Sequence, residues 1–319
     1  MKRGTWISMS GAAVAAVAVR TPALAADTVV MAVGQQGAWT SMTAQQGVDA
    51  GLFQKAGLEL KITYTAGGPD TIQAVTGGAE VGVGVGTTAV IAAFSKGAPI
   101  RIVSGDFTGA GDLYFYARAD SPINSFADVN GKTVGFTRPG SSSFTIAQML
   151  AQQANVKPTF VATGEFPATL TQVMSGQVDV GFSVVPLSFD LVNQKKIKIV
   201  ARGSEAKALA NQTVRVDIAN TTFLQNRREV AQRFFRTYAA SQDWMYANLD
   251  KAVANFARYN QIPLDLAKQV VPFYPRRAVQ LTAVSDFDRS IADAVLLKFI
   301  PAPLTAEQQK GIFDIMVPH

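Results

Sequence analysis

An internal repeat constrains this chain more than any other feature. In a first pass, an apolar strand at Thr28 to Val33 ends in the loop Gly34-Gln35-Gln36-Gly37, and a helix-like segment runs on to Gly51. A strand from Leu58 to Tyr64 then leads through Ala66-Gly67-Gly68 to Pro69. The proline opens a helix with Ile72 and Val75 on its apolar side, because its fixed φ suits a first helical turn. Gly77-Gly78 stops that helix, Val81 to Val85 forms the next strand, and Ile100-Arg101-Ile102-Val103 ends the pass. The second pass begins at Lys132 to Phe136, with the small-residue loop Gly140-Ser141-Ser142-Ser143 and a helix to about Gln153. Thr159 to Ala162, the helix opened by Pro167 and stopped by Gly176, and Val178 to Val184 follow, and Ile197-Lys198-Ile199-Val200 closes it. Pro69 and Pro167 lie 98 residues apart, and Ile100 and Ile197 lie 97 apart. Several matches in one register argue for duplication.

Strands alternating with helices build parallel βαβ units. Two such units predict two α/β lobes, with ligands at the carboxyl ends of the strands. Leu113 to Ala117 is the expected first crossing between lobes, and Val214 to Ala219 the return strand. The domain reading is therefore residues 1–25 as an export signal, 26–116 and 214–319 as one discontinuous lobe, and 117–213 as the other. The helical tail, led by Arg227 to Tyr246, is expected on the first lobe.

The export reading rests on Lys2-Arg3, the apolar run Gly11 to Val19, and Ala23-Leu24-Ala25 as the cleavage site after Pro22. Cleavage before Ala26 predicts a periplasmic protein, by the general secretory route or, given Arg20, the twin-arginine route. Nothing later is long and apolar enough to span a bilayer, so no membrane insertion is expected. The mature chain carries 26 basic and 23 acidic residues, a net +3 too mild and dispersed for nucleic acid. There is no cysteine, and the single histidine is the terminal His319. Thiol and imidazole catalysis and the usual metal sites are thereby set aside, and neither cofactor nor metal is expected.

The motifs Gly51-Leu52-Phe53-Gln54-Lys55-Ala56-Gly57-Leu58, Gly67-Gly68-Pro69-Asp70 and Ala119-Asp120-Ser121-Pro122-Ile123 carry a family resemblance. Asp128-Val129-Asn130-Gly131-Lys132-Thr133-Val134-Gly135 and Ser175-Gly176-Gln177-Val178-Asp179-Val180-Gly181 extend it over nearly all the mature chain. The sequence resembles substrate-binding proteins of the nitrate/sulfonate/taurine (NitT/TauT) class of ABC importers. One departure is Glu80, where that family usually has aspartate. The resemblance implies a two-lobed periplasmic-binding-protein fold of type II: mixed sheets flanked by helices, with two hinge crossings and a ligand in the interlobe cleft. It also implies a membrane permease and its cytoplasmic ATPase as partners of a monomer.

Gly84-Val85-Gly86-Thr87-Thr88-Ala89, with Asp106 downstream, fits a dinucleotide fingerprint. It falls at the third strand–turn–helix position instead of the first, so Gly86, Thr87 and Thr88 are read as cleft groups beside unpaired helix N–H groups. Ser141, Ser142 and Ser143 are the second lobe's counterpart, serving as helix caps, ligand donors or both. Arg138 either adds a bidentate contact to an anion or pairs with solvent or a surface carboxylate. Gln35, Gln36, Gly37, Gly67 and Gly68 lie on loops expected at the cleft. Trp39 is a core residue or a lid, and Phe189, after Pro186, is a contact or a packing residue. Asp70, Asp106 and Asp190 are read as helix caps or solvated loop ends. The expectation is capture of a small anion such as a sulfonate, carboxylate or nitrate, with a flat heterocycle stacked on Trp39 or Phe189 as the alternative. The rival functions are an enzyme on the same fold and a ligand-sensing subunit for a membrane receptor. Thiamine-pyrimidine synthases that resemble this family rely on an internal histidine, which this chain lacks.

Overall fold

The computed structural model describes residues 26–317, together with Met1. The rest of the export segment predicted for residues 1–25, and His319, lie outside the described residues. Ten strands form two five-stranded sheets. The first contains β1 (Asp27–Val33), β2 (Leu58–Tyr64), β3 (Val81–Gly86), β4 (Ile100–Thr108) and, from late in the chain, β10 (Thr213–Asn220). Its order is β2-β1-β3-β10-β4, with β10 antiparallel to both neighbours. The second contains β5 (Leu113–Arg118), β6 (Thr133–Phe136), β7 (Thr159–Ala162), β8 (Val180–Val184) and β9 (Ile197–Arg202). Its order is β7-β6-β8-β5-β9, with β5 antiparallel to β8 and β9.

The repeat is visible at the level of atoms. Thr65 and Thr71 share a hydroxyl–hydroxyl bond of 2.7 Å, and so do Thr163 and Thr169 in the second lobe. Glu80 accepts the backbone N–H of Val30, and Asp179 accepts that of Thr133. The family departure at Glu80 therefore keeps the same strand-tying bond with a longer acid. Gly82 and Gly181 do the same steric work. A Cβ on Gly82 would meet Val75 at 2.8 Å and Thr71 at 2.9 Å, and one on Gly181 would meet Val173 at 2.7 Å and Thr169 at 2.9 Å. Close packing of each proline-opened helix, Gly68–Thr76 and Phe166–Met174, onto its sheet thus depends on a bare strand position.

The expected first crossing is corrected. Leu113 to Ala117 pairs with β8 and β9, so it is a strand of the second sheet. The chain changes sheets at Gly109 to Asp112, and a boundary at 116/117 falls inside β5. The return crossing runs from Gly203 to Gln212, and Gly203 packs bare against the Ala110 carbonyl of the outgoing crossing. Alternation of apolar residues could not separate a crossing strand from a sheet strand, because both are buried.

The tail packs mainly on the first sheet. The helix Arg228–Ala247 lies against Thr43–Asp49, and Phe287–Leu296 lies against Thr87–Ser95. Ile312 and Asp314 bond the backbone of Ile102, covering the β4 edge. It also reaches the second lobe: Phe273 lies edge-on to Phe189, and Phe299 lies 6.0 Å from Phe144. One apolar core, including Trp39, Phe107, Leu113, Phe182 and Phe256, runs through the hinge. No described helix is long and apolar enough to cross a membrane.

Candidate functional site

The helices Gly68–Thr76 and Thr87–Ser95 of the first lobe, and Ser142–Ala154 and Phe166–Met174 of the second, begin where β-strands end. All four amino ends open on one interlobe cavity, through Gly68, Gly86, Ser142 and Phe166. The leading N–H groups of a helix lack internal partners and carry the positive end of its dipole. Four of them around one hollow make a polar, electropositive wall. The cavity volume, about 60 Å³, exceeds what one water needs. A larger groove of about 540 Å³ beside Phe160 and Leu296 is open surface at the carboxyl end of Ser142–Ala154, where the dipole is negative.

The lobes are closed on one another around this cavity. Gln35 donates to the Ala66 carbonyl at 2.8 Å and across the gap to the Thr137 hydroxyl at 3.2 Å. Thr88 and Thr145 share a 3.1 Å hydroxyl bond between lobes. A Cβ on Gly86 would lie 3.1 Å from the Ser142 nitrogen and 3.2 Å from the Gly140 carbonyl oxygen.

Seven of the predicted site residues line the cavity: Gln35, Gly67, Gly68, Gly86, Ser141, Ser142 and Ser143. Ser141 is also the helix cap, accepting from Phe144 N–H, while the Ser143 hydroxyl accepts from Thr137 N–H. The others sit elsewhere. Gln36 is exposed and donates to the Tyr259 carbonyl. Gly37 is pressed against Leu187 of the second lobe, and Trp39 is buried against Phe256. Thr87 donates to the Thr213 carbonyl, and Thr88 is engaged by Thr145. Pro186 is buried and Phe189 packs on Tyr114, both outside the cavity lining. Arg138 reaches back across the cleft to Asp70, with Nε 2.7 Å from the carboxylate oxygen. In this closed form it ties the lobes together at the rim, the carboxylate-pairing reading of that residue.

Sequence reasoning missed the cavity's one charged side chain among the described residues, Arg215 of β10. Its guanidinium bonds Asp112 at 2.5 Å, stands 3.5 Å from Asp106, and covers the Phe107 ring at 4.6 Å. Tyr274 donates to the same Asp112 oxygen at 3.0 Å. Asp106 is corrected from a solvated loop end: it is 1% exposed and accepts from Thr40, itself part of the cavity wall. Asp217 accepts from Gly84 N–H at 3.1 Å and from Ser104 at 2.8 Å. Burial pushes the Asp106 carboxyl above its ordinary range, against the pull of Arg215 and Thr40. Burial and then the Asp106 charge push Asp217 well above it. Burial opposes the Arg215 cation, but Asp112 and Asp106 outweigh it. The missed signal was Arg215 and Asp217 themselves, two charges at i and i+2 on one face of an otherwise apolar strand.

Leu113 and Val184, paired across β5 and β8, and the packed rings of Phe166 and Phe182 give the lining an apolar patch. The cavity lining thus combines hydroxyl and N–H donors with an aliphatic–aromatic patch. No group of three or more His, Asp or Glu side chains is arranged to hold a metal ion among the described residues.

Two sheets with exchanged antiparallel strands, closed over a cavity at helix amino ends, define the bilobal binding-protein fold. A family model described as "NMT1/THI5 like" matches residues 40–252, more than half of the chain, and the chain belongs to that family. No curated protein sequence matches it. The alkanesulfonate-binding protein SsuA of Xanthomonas axonopodis pv. citri, solved bound to MOPS, superposes with a TM-score of 0.73 at 17% identity, covering 89% of this chain and 99% of that one. The periplasmic aliphatic sulphonate binding protein SsuA of Escherichia coli gives 0.68 at 18% identity, covering 88% and 91%. The desulfurization enzyme DSZB gives 0.62 at 15% identity, covering 88% and 95%. At such identities the likeness establishes the fold, and it agrees with the resemblance carried by the loop motifs.

Proposed function

We propose that this chain is the solute-binding component of an ABC importer, exported to the periplasm, which traps a small anion with a short apolar tail between its lobes and delivers it to a permease and its ATPase. The observation that carries this reading is the convergence of four helix amino ends and Arg215 on one interlobe cavity whose lining also carries an apolar patch. Capture is favoured over chemistry because the lining supplies hydroxyls and N–H donors but no carboxylate, histidine or cysteine to act as base or thiol nucleophile. The sulfonate ligands named for the two SsuA structures fit this division into charged head and apolar tail. A stacked heterocycle is disfavoured, since Trp39 and Phe189 both turn into packing contacts.

Thermal-shift screening of the mature protein against short alkanesulfonates, carboxylates, nitrate and pyrimidines tests the reading. At a hundredfold excess over Kd, a true ligand adds about 2.7 kcal/mol of apparent stability. A sulfonate or carboxylate should give the largest shift; preference for a neutral pyrimidine would overturn the anion assignment.

Arg138 should matter little to that binding. Its ion pair with Asp70 is half-exposed, and such pairs contribute at most about 1 kcal/mol. Arg138→Ala and Asp70→Ala should each weaken ethanesulfonate binding by less than about fivefold, by shifting lobe closure. A loss well beyond tenfold in Arg138→Ala alone, measured by calorimetry, would return Arg138 to direct contact with the anion.

A further inference from the structure

We infer that anion capture in this cleft is coupled to uptake of a proton by Asp106, so that the protein binds its solute more tightly in acid. The inference rests on the proposed anion-binding role and adds to it a linkage that the fold alone does not require.

The argument starts from a count of charges. Asp106, Asp112 and Asp217 are each at most 1% exposed; the buried guanidinium of Arg215 bonds Asp112 and stands beside Asp106, while Asp217 accepts from the Gly84 N–H and the Ser104 hydroxyl. The other ionisable groups facing Asp106 are Tyr238 and Tyr246 of the helix Arg228–Ala247, with Arg276 beyond Tyr246 at the surface, and Tyr274 faces Asp112. None of the tyrosines supplies positive charge. The cluster is also short of donors, because Asp112 Oδ1 is buried without a hydrogen-bond partner. Like charges held close together away from water oppose one another's ionisation, and Asp106 and Asp217 are both pushed towards the protonated form.

Arg215 and Thr40 connect this cluster to the cavity. Both line it, and both touch Asp106, at 3.5 Å and 3.3 Å. An anion seated against Arg215 therefore competes with Asp106 for the same cation and adds a negative charge one side chain away. Loss of that pairing favours the neutral carboxyl. Burial already holds Asp106 above the ordinary carboxylate range, and loss of the Arg215 pairing pushes it further the same way. Proton transfer is from solvent to Asp106, with no other bond made or broken. Because the bound state holds more protons than the free state, affinity falls as pH rises. The protonated Asp106 keeps its proton and can donate a hydrogen bond to the Thr40 hydroxyl, so Arg215 is released to the solute without leaving a bare buried carboxylate.

The test is isothermal titration of the mature protein with ethanesulfonate, which stays fully ionised from about pH 5 to pH 8. The expected result is a Kd that rises towards tenfold per pH unit between the Asp106 transition of the free protein and the higher one of the complex, and levels off on either side. Buffers of different ionisation enthalpy should report uptake of about one proton per ligand. Asp106→Asn, which keeps the shape and a Thr40 contact, should still bind but with a flat pH profile and no proton uptake. Should Asp106→Asn fail to fold, ¹³C carboxyl NMR on the unmutated protein reads the same event, as an Asp106 resonance moving towards the protonated position on ligand addition. Tight, pH-independent binding with no buffer dependence would overturn the linkage while leaving the binding role intact. No heat from ethanesulfonate at any pH, together with no thermal shift from any anion of the panel, would remove the binding role and this inference with it.

Discussion

Arg215→Met should destabilise the folded protein by about 3–5 kcal/mol, the usual cost of removing one partner from a buried ion pair. The side chain is 8% exposed and its Asp112 partner is fully buried, so water cannot take over the lost bond. Methionine fills much of the arginine's volume and keeps contact with the Phe107 ring, which leaves the uncompensated Asp112 carboxylate as the main damage. Adding Asp112→Asn removes that charge, and the double variant should recover more than half of the lost stability. It should not recover ligand binding, because the cavity's cation is gone in both proteins. Urea denaturation of the single and double variants, with calorimetry against ethanesulfonate, separates the two effects. If the double variant bound ethanesulfonate as well as the unmutated protein, Arg215 would be a purely structural cation.

The contrast between Arg138 and Arg215 shows which parts of this molecule could be read in advance. The duplicated order of elements was legible because it rests on local signals: prolines that open helices, glycines that end them, and apolar runs at matched spacing. Seven cavity residues were legible for the same reason, since each lies in a loop that must sit at a strand's carboxyl end. Arg138 was placed beside the cleft by that logic, but which way its side chain turned depended on Asp70, 68 residues earlier in the chain and on the other lobe. Arg215 was not found because its strand reads as an ordinary apolar one, and its role arises when β10 is inserted between β3 and β4. That insertion sets Arg215 opposite Gly86 on one side and Phe107 on the other. Trp39 and Phe189 went to packing because apolar area buried in a core outweighs the same area left at a wet cleft. Pairings made across the two crossings are non-local, and periodicity carries no information about them.

Gly86 offers the sharpest test of closure itself. Its backbone is at φ −56 and ψ 125, an ordinary extended conformation, so a side chain there meets no intrinsic backbone strain. What forbids one is the other lobe: a Cβ would lie 3.1 Å from Ser142 N and 3.2 Å from Gly140 O. Both contacts are to backbone, which cannot rotate away as a side-chain tip would. Within its own sheet Gly86 faces Arg215 in register, and a β-branched residue there suits a strand. Gly86→Val should therefore fold normally yet hold the lobes apart, with the two γ carbons deepening the clash. Overpacking of this kind costs about 2–3 kcal/mol, which charged wholly to the closed state weakens ligand affinity roughly 30- to 150-fold. Small-angle scattering should show a larger radius for Gly86→Val than for the unmutated protein, with or without ethanesulfonate. Gly111→Ala is the control, because a Cβ there meets nothing within 4 Å although the residue lies in the first crossing. A Gly86→Val protein that scattered and bound like the control would mean that the backbones of Gly86 and Ser142 do not meet in the ligand-bound state, and the cleft would have to close around its solute in some other arrangement.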